Sequence, residues 1–224
     1  MARRMERPAA LLFDLDGTLL DSAPDLAGTA NDMRAARGRP PLPYVDLRPH
    51  AGSGARGMLG AAFDIRPQQP GYELLRDEFH DRYEQRMTRE SVLFGAVEAL
   101  LDALDRHALP WGIVTNKSLR FAAPLVSALT PLARGAVLVG GDSTPHTKPH
   151  PAPLLEAARR LGCAPQACVY IGDDPRDMRA ARAAGMGAWA AAWGYLGLEL
   201  PPAQWGADAV LAHPIELLTL LDLP

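Results

Sequence analysis

The chain has few cysteines, no long apolar segment and no excess of positive charge. Its 224 residues include only Cys163 and Cys168, whose spacing does not form a C-x-x-C motif. We therefore expect reduced cysteines that serve as packing residues, and a cytoplasmic protein. The formal net charge of −3 argues against a basic groove, so we expect no nucleic-acid partner.

The start of the sequence contains no membrane-targeting pattern. The stretch MARRMERPAALLFDLDG carries positive charge, but its apolar run is short and is broken by Asp14. We therefore expect neither a signal peptide nor a membrane anchor. The hydrophobic share of 48% and the charged share of 22% are ordinary for a soluble globular protein.

Short apolar runs alternate with helical patterns in most of the chain. The runs predict strands at Ala10–Asp14, Trp111–Thr115, Ala136–Gly140, Ala167–Gly172 and Ala188–Ala192. The helical patterns lie at Val97–His107, Leu119–Leu129, Ala152–Leu161, Pro175–Ala184 and Ile215–Leu221. Strands that alternate with helices need crossover connections, which predicts an α/β fold with a parallel sheet covered by helices on both faces.

The interval from Ser22 to Leu93 departs from this alternation. It has helical patterns at Pro24–Arg37, Arg56–Phe63 and Tyr72–Arg89, several proline-rich turns and no convincing strand. We interpret it as an all-helical insertion between the first strand and the first helix of the sheet domain.

Two carboxylates, Asp14 and Asp16, follow the first predicted strand. A carboxylate at the end of a buried strand is costly unless it is paired, protonated or bound to a cation. Alternate residues of an extended segment share a face, so Asp14 and Asp16 can enter one site while Leu15 points away. Such a pair suits covalent phosphoryl transfer, with one Asp as nucleophile and the other as general acid and base. A solvated strand end or a helix cap remains the alternative for this pair taken alone.

Polar residues also follow the second strand of the alternating region. Thr115 and Asn116 offer a hydroxyl and an amide to phosphate oxygens, and Ser118 is predicted to be the N-cap of the next helix. The alternative for Thr115 is an ordinary polar residue at the end of a strand, without a role in phosphate binding. Lys117 is expected at the surface.

Lys148 lies in a loop between Thr147 and Pro149, just before a predicted helix. Its ammonium could neutralise both the nucleophile and the transferring phosphoryl group, although a solvated loop lysine is the alternative. His146 and His150 are expected at the surface or behind the site, because an aspartate-rich site favours a hard cation with oxygen ligands.

The run VYIGDDPRD places further carboxylates after another strand. With Asp14, Asp173 would form an oxygen-rich pocket for Mg²⁺, which would screen an anionic nucleophile from an anionic substrate. We interpret Asp174 as the N-cap of the helix that begins at Pro175. Asp177 is expected to support the site from behind.

The order of these motifs resembles that of the haloacid dehalogenase superfamily of phosphatases. The matching pieces are Asp-Leu-Asp-Gly-Thr from Asp14, Val-Thr-Asn from Val114, Lys148-Pro149 and Gly-Asp-Asp-x-x-Asp from Gly172. The resemblance implies a Rossmann-like sheet with three motif strands at its centre. It also implies a core domain of residues 1–20 and 94–224 and a helical cap domain of residues 21–93.

The resemblance also implies roles for individual residues. Asp14 would be the nucleophile and Asp16 the general acid and base. Thr115 and Lys148, together with Asn116, would bind phosphate. The predicted Mg²⁺ ligands are Asp14, Asp173 and Asp16, the last through its main-chain carbonyl.

Within the superfamily the chain is similar to phosphoglycolate phosphatases and to a subgroup that acts on N-acetylmuramic acid 6-phosphate. The similarity lies in DGTLLDSAPDL, in the loop from Gly52 to Met58 and in GGDSTPHTKPHPAPLL, and the muramic acid subgroup also shares WGIVTNK. We predict that Arg56 and Ser53 of that loop set specificity, because both substrates carry a carboxylate that a planar cation can bind. A solvated Arg56 at a helix start is the open alternative.

These observations predict a Mg²⁺-dependent phosphatase that works as a monomer or homodimer. Its predicted substrate is phosphoglycolate, and N-acetylmuramic acid 6-phosphate is the alternative substrate. A sugar-phosphate mutase of the same superfamily is an alternative enzyme. A receiver-like phospho-aspartate switch is the non-enzymatic alternative, but Asp16 provides an acid and base that such a switch does not need.

Overall fold

The computed structural model describes residues 7–197 and 200–223. Residues 1–6, 198–199 and 224 of the predicted core domain therefore lie outside the described residues. The division into a core domain and a cap domain at 21–93 stays a prediction.

A parallel sheet of six strands forms the centre of the molecule. Its order is β5-β4-β1-β6-β7-β8, and every neighbouring pair is parallel. The strands are β1 (Ala10–Phe13), β4 (Trp111–Val114), β5 (Leu138–Val139), β6 (Cys168–Gly172), β7 (Gly187–Ala191) and β8 (Ala209–Leu211). The five predicted strands and the predicted central position of β4, β1 and β6 are confirmed.

Helices cover both faces of this sheet. The helices of the sheet domain are α5 (Val97–Arg106), α6 (Leu119–Ala128), α7 (Thr130–Ala133), α8 (Ala152–Leu161), α9 (Pro175–Ala184) and α10 (Glu216–Leu220). Alternate strand residues enter separate cores: Leu11 and Phe13 pack on the side of α5, whereas Ala10 and Leu12 pack on the side of α8 and α9. This alternation explains the continuous apolar runs of the sequence.

The insertion is helical between two short strands. Its helices are α1 (Ala23–Ala35), α2 (Tyr44–Leu47), α3 (Gly54–Phe63) and α4 (Tyr72–Arg86), with a 3-10 helix at Arg48–Ser53. Strands β2 (Leu20–Asp21) and β3 (Val92–Leu93) pair antiparallel at its base. The expectation of no strand before Leu93 is therefore wrong at its last two residues.

The buried Asp25 ties the two ends of the insertion together. Its Oδ2 accepts hydrogen bonds from the main-chain N–H of Glu90 and of Ser91, at 3.0 and 2.9 Å, and from the Ser91 hydroxyl at 2.8 Å. The Arg86 Nε lies 3.6 Å from the other carboxylate oxygen. The first turn of α1 is thereby held against the segment that returns to the sheet.

Candidate active site

Asp14 extends the ladder of the central strands by one residue. Its main-chain N–H donates to the carbonyl of Ile171 at 2.9 Å, so the carboxylate emerges at the carboxyl end of β1. Asp14 and Asp16 are both partly exposed and line one cavity, whereas Leu15 is fully buried. The predicted alternation of these side chains is confirmed.

Lys148 reaches the same point from the loop before α8. Its Nζ lies 3.0 Å from Asp14 Oδ1, 2.8 Å from Asp177 Oδ1 and 2.7 Å from the Tyr170 hydroxyl. Only 3% of Lys148 is exposed. Burial lowers its pKa, but the attraction of Asp14 and Asp177 outweighs burial and raises the pKa above the ordinary lysine value. The solvated-loop alternative for Lys148 is wrong.

Asn116 holds the main chain of Lys148 through two hydrogen bonds. Its Nδ2 donates to the Lys148 carbonyl at 3.0 Å, and its Oδ1 accepts from the Lys148 N–H at 2.9 Å. This positioning contact between the end of β4 and the Lys148 loop was not foreseen from the sequence. Phosphate binding by Asn116 and by the buried Thr115 stays a prediction; both residues line the cavity.

The helix that follows these residues begins as expected. Ser118 is the N-cap residue of α6, although its side chain makes no capping hydrogen bond. The Asp142 carboxylate performs that function by accepting from the Leu119 N–H at 2.9 Å.

Lys117 is the main disagreement with the sequence analysis. Its side chain is only 9% exposed, and its Nζ lies 2.8 and 3.0 Å from the two carboxylate oxygens of Asp16. The ammonium also lies 4.9 Å from the centre of the Tyr83 ring. Burial lowers the pKa of Lys117, but the charge of Asp16 outweighs it and raises the pKa overall. The expectation of a surface lysine is wrong, because α4 of the insertion covers this side chain.

Three carboxylates form a group that could hold a metal ion. Asp14, Asp173 and Asp177 each offer an oxygen within 4.8 Å of the others. Thr18 Oγ1 and the Tyr195 N–H orient Asp173 through hydrogen bonds of 3.1 and 2.8 Å. Asp177, expected to act from behind, thus contributes an oxygen to the group.

The surroundings of Asp173 fit a cation. Burial, and then the charges of Asp14 and Asp177, raise the pKa of Asp173 well above its ordinary value. Lys148 pairs with Asp14 and Asp177, so one cation faces three carboxylates. A Cβ at Gly17 or at Gly194 would lie 2.1 or 2.3 Å from atoms of Asp173, so both positions require glycine for the main chain to approach. A divalent ion with oxygen ligands would supply the missing charge.

Asp174 caps α9, as predicted. Its side chain accepts from the Arg176 N–H at 2.8 Å, while Asp177 Oδ2 accepts from the Asp174 N–H at 3.1 Å, which completes a capping box. Arg176 also reaches the insertion, where its Nη2 donates to the Gly52 carbonyl at 2.8 Å. Arg176 therefore connects the edge of the sheet that carries the three carboxylates with the loop before α3.

The insertion closes the site into a cavity of about 340 Å³. Ser53 lines this cavity, whereas Arg56 is exposed and lies outside the lining. Sequence analysis missed an aromatic wall that consists of Phe79, His80 and Tyr83 from α4 and Phe121 from α6. Burial lowers the pKa of His80. His146 and His150 are exposed and lie outside the lining, as expected for surface residues.

The family model described as haloacid dehalogenase-like hydrolase matches residues 8–185. The chain belongs to this family. A phosphoglycolate phosphatase of Xanthomonas campestris pv. campestris is 46% identical over 213 residues, which cover 95% of this chain and 96% of that protein. An N-acetylmuramic acid 6-phosphate phosphatase of Pseudomonas aeruginosa is 44% identical over 216 residues and 96% of both chains. The haloacid dehalogenase-like chain is thus a phosphatase.

A solved structure has the same architecture. The crystal structure of a predicted phosphoglycolate phosphatase from Haemophilus somnus matches with a TM-score of 0.84 and 27% identity. The match covers 96% of this chain and 99% of that one. The predicted fold class, a parallel sheet with helices on both faces and a helical insertion, is confirmed. Within the described chain, no helix has the length and apolar character needed to cross a bilayer.

Proposed function

We propose that the protein is a Mg²⁺-dependent phosphomonoesterase that works through an aspartyl-phosphate on Asp14, with phosphoglycolate as its substrate. One observation carries the proposal: Asp14 meets Lys148 at 3.0 Å and lies in a group of carboxylates suited to a hard cation. A carboxylate can attack a phosphate dianion only if nearby positive charge reduces the repulsion between the two anions, and Lys148 and a bound cation would supply that charge.

The first half-reaction transfers the phosphoryl group to Asp14. An Asp14 carboxylate oxygen forms a bond to phosphorus while the bond from phosphorus to the ester oxygen breaks. The protonated Asp16 gives its proton to that oxygen, and the alcohol leaves. Ser22 and Lys117 orient Asp16 towards the cavity, since both donate hydrogen bonds to its carboxylate.

The second half-reaction regenerates the enzyme. Asp16, now a carboxylate, takes a proton from water as the water oxygen bonds to phosphorus. The bond between phosphorus and the Asp14 oxygen then breaks and inorganic phosphate is released. Lys148 and Thr115 neutralise or bind the phosphoryl oxygens in both steps.

The metal ion would be held by Asp14 and Asp173, with the main-chain carbonyl of Asp16, while Asp177 supports the site through its contacts with Lys148 and the Asp174 N–H. When bound, it supplies electrostatic screening between the anionic nucleophile and the anionic ester. We further propose that residues 21–93 form a cap domain whose closure excludes bulk water. A monomer or homodimer in the cytoplasm is the expected context, which fits the free cysteines Cys163 and Cys168.

N-acetylmuramic acid 6-phosphate is a second candidate because of the size and lining of the cavity. The cavity of about 340 Å³ includes the space for the phosphoryl group beside Asp14 and extends from there to the aromatic residues of α4 and α6. Phe79, Tyr83 and Phe121 offer apolar faces against which a sugar ring could pack.

A side-by-side measurement of kcat/KM tests the proposed function. The substrates are phosphoglycolate, N-acetylmuramic acid 6-phosphate and glucose 6-phosphate, each with Mg²⁺. We expect phosphoglycolate to exceed glucose 6-phosphate by at least about tenfold, the scale on which pocket contacts discriminate. A higher value for the muramic acid ester would favour the second candidate. Transfer without multiple-turnover phosphate release would instead indicate a mutase or a receiver.

Metal binding is expected to stabilise the fold. At a Mg²⁺ concentration of about 100 times Kd, binding to the native state adds about 2.7 kcal/mol of unfolding free energy, which thermal denaturation in Mg²⁺ and in EDTA measures. Asp173→Asn should remove most of this difference, because it removes a buried carboxylate from the group. An unchanged Mg²⁺ stabilisation in Asp173→Asn would contradict the assignment of Asp173 as a ligand.

A further inference from the structure

Lys117 lies in the cavity wall beside Asp16, and the proposed phosphoryl transfer gives it no role beyond that contact. We propose that Lys117 is the specificity-determining residue that binds a carboxylate attached next to the ester carbon of the substrate. The preferred substrates are then phosphate esters of 2-hydroxy acids. This inference rests on the proposed function, because it takes Asp16 as the group that faces the ester oxygen.

The composition of the chain sets Lys117 apart. The 23 basic residues include only two lysines, Lys117 and Lys148. Both side chains are almost fully buried, both line the cavity, and each forms an ion pair with one member of the Asp14 and Asp16 pair. A compact ammonium suits a crowded site next to a small substrate better than a guanidinium does.

The other cations near the site are committed elsewhere or lie outside it. Lys148 contacts Asp14, Asp177 and Tyr170. Among the described residues that line the cavity, Arg176 is the remaining guanidinium; it bonds to both carboxylate oxygens of Asp174 and to the Gly52 carbonyl. Arg56 is exposed and outside the lining. Lys117 is also paired, with both oxygens of Asp16, but its partner is the carboxylate that faces the ester oxygen, so it is the cavity cation best placed for an anion next to that oxygen.

The distances place a neighbouring carboxylate within reach of Lys117. In an ester of a 2-hydroxy acid the carboxyl carbon is two single bonds from the ester oxygen, roughly 2.4 Å away. Asp16 must contact that oxygen to protonate it, and Lys117 Nζ is 2.8 Å from Asp16 Oδ1. An ammonium has three hydrogens, so Lys117 can contact Asp16 and the substrate carboxylate together. The carboxylate of N-acetylmuramic acid lies on a different part of the sugar from its phosphate and would not reach Lys117.

Tyr83 lies beside Lys117 in the cavity wall. It is 2% exposed and lines the cavity. Burial raises the pKa of its hydroxyl, and the Lys117 ammonium opposes that rise, so the two side chains form one polar spot in the wall. Because Lys117 lies against the Tyr83 ring, an anion at Lys117 is in the region of this hydroxyl. The enclosed surroundings also strengthen an ion pair there.

The test is a ratio of two kcat/KM values. The numerator uses phosphoglycolate, and the denominator uses 2-hydroxyethyl phosphate, which lacks the carboxylate. We expect Lys117→Met to lower this ratio by about 10- to 100-fold, the effect of losing a charge-assisted hydrogen bond. Any loss caused by altered contacts to Asp16 affects both esters and cancels. Lys117→Arg should keep part of the ratio, because a cation remains.

Substitutions of two arginines, Arg120 and Arg56, test whether the change in the ratio is specific to Lys117. Arg120 lies on α6 close to Lys117 and pairs with Asp81 and Glu84 of the insertion, but it is outside the cavity lining. Arg120→Met should leave the ratio within about threefold, since surface pairs contribute little. Arg56→Met tests the rival assignment of the carboxylate to the loop before α3.

The outcomes separate the inference from the proposed function. The inference is overturned if the wild type does not discriminate between the two esters, if Lys117→Met keeps the wild-type ratio, or if Arg56→Met alone abolishes it. If the wild type releases phosphate from neither ester nor from p-nitrophenyl phosphate, the proposed function itself has failed.

The two lysines also permit a direct binding measurement. The Asp14→Asn variant, labelled with ¹³C-lysine, gives one Cε signal for Lys117 and one for Lys148, and Lys117→Arg in that background assigns them. We expect phosphoglycolate with Mg²⁺ to shift both signals, and 2-hydroxyethyl phosphate to shift chiefly that of Lys148. Equal shifts of the Lys117 signal with both esters would contradict carboxylate binding by Lys117.

Discussion

Asp14→Asn is expected to lower kcat by roughly 10⁵-fold or more, the scale seen when a catalytic nucleophile is removed. An amide oxygen is a poor nucleophile, so no aspartyl-phosphate forms. The fold should persist, because Asn has the shape of Asp and keeps an oxygen that can accept the Leu15 N–H, which lies 2.7 Å from Asp14 Oδ1. Release of inorganic phosphate from phosphoglycolate, together with circular dichroism, measures both expectations.

Asp142→Asn provides the matched control for this experiment. Asp142 also follows a strand of the sheet, but it is exposed and lies outside the cavity lining. Asparagine retains the oxygen that caps α6, so kcat should stay within about twofold. Substantial residual Mg²⁺-dependent phosphatase activity in Asp14→Asn would refute the assignment of Asp14 as nucleophile.

Asp16→Asn is expected to lower kcat by about 10²- to 10⁴-fold, the range for a positioned general acid and base. Asparagine can neither protonate the ester oxygen nor take a proton from water. It also places an amide NH₂ where Lys117 Nζ now approaches a carboxylate oxygen at 3.0 Å or less. The loss should be largest for phosphoglycolate, whose alkoxide is a poor leaving group.

A substrate with a good leaving group separates the two roles of Asp16, which are protonation of the ester oxygen and deprotonation of the attacking water. p-Nitrophenolate leaves without a proton, so phosphorylation of Asp14 should survive in Asp16→Asn while the later hydrolysis is slow. We therefore expect a burst of p-nitrophenolate and a phosphorylated protein after acid quench. A loss of less than about tenfold in kcat for phosphoglycolate at the pH optimum would count against the role of Asp16.

The edge of the sheet that carries the candidate active site could be predicted from the sequence, because each strand end is marked by a short local pattern of residues. Apolar runs that end in Asp14, Thr115 and Asp173 locate strand ends, and parallel strands bring such ends to one edge of the sheet. Strand β8 was missed because it has only three residues, Ala209–Leu211, at the edge of the sheet. Helices α2 and α7, of four residues each, were missed because they are too short for periodicity to show.

The side-chain environment of the site could not be predicted in the same way. Burial of Lys117 depends on α4, which precedes it in the chain and contacts it only in the folded protein. The two hydrogen bonds between Asn116 and Lys148 join residues 32 positions apart. The planar cation of Arg56 predicted a carboxylate-binding loop, but the orientation of α3, which the sequence does not reveal, leaves this side chain in solvent.

The pairing of β2 with β3 has a consequence for how such an enzyme can change over evolutionary time. Leu20 pairs with Leu93 and Asp21 with Val92, so the chain leaves the sheet domain and returns to it through strands about 5 Å apart. An insertion of any length between β2 and β3 begins and ends at these two neighbouring strands. The entropic cost of bringing its ends together grows only slowly with its length. The intervening helices can therefore be lengthened, shortened or exchanged while Asp14 and Lys148 stay in place. The part of the cavity wall that the insertion supplies can thus change while the sheet domain keeps the groups that carry out the reaction.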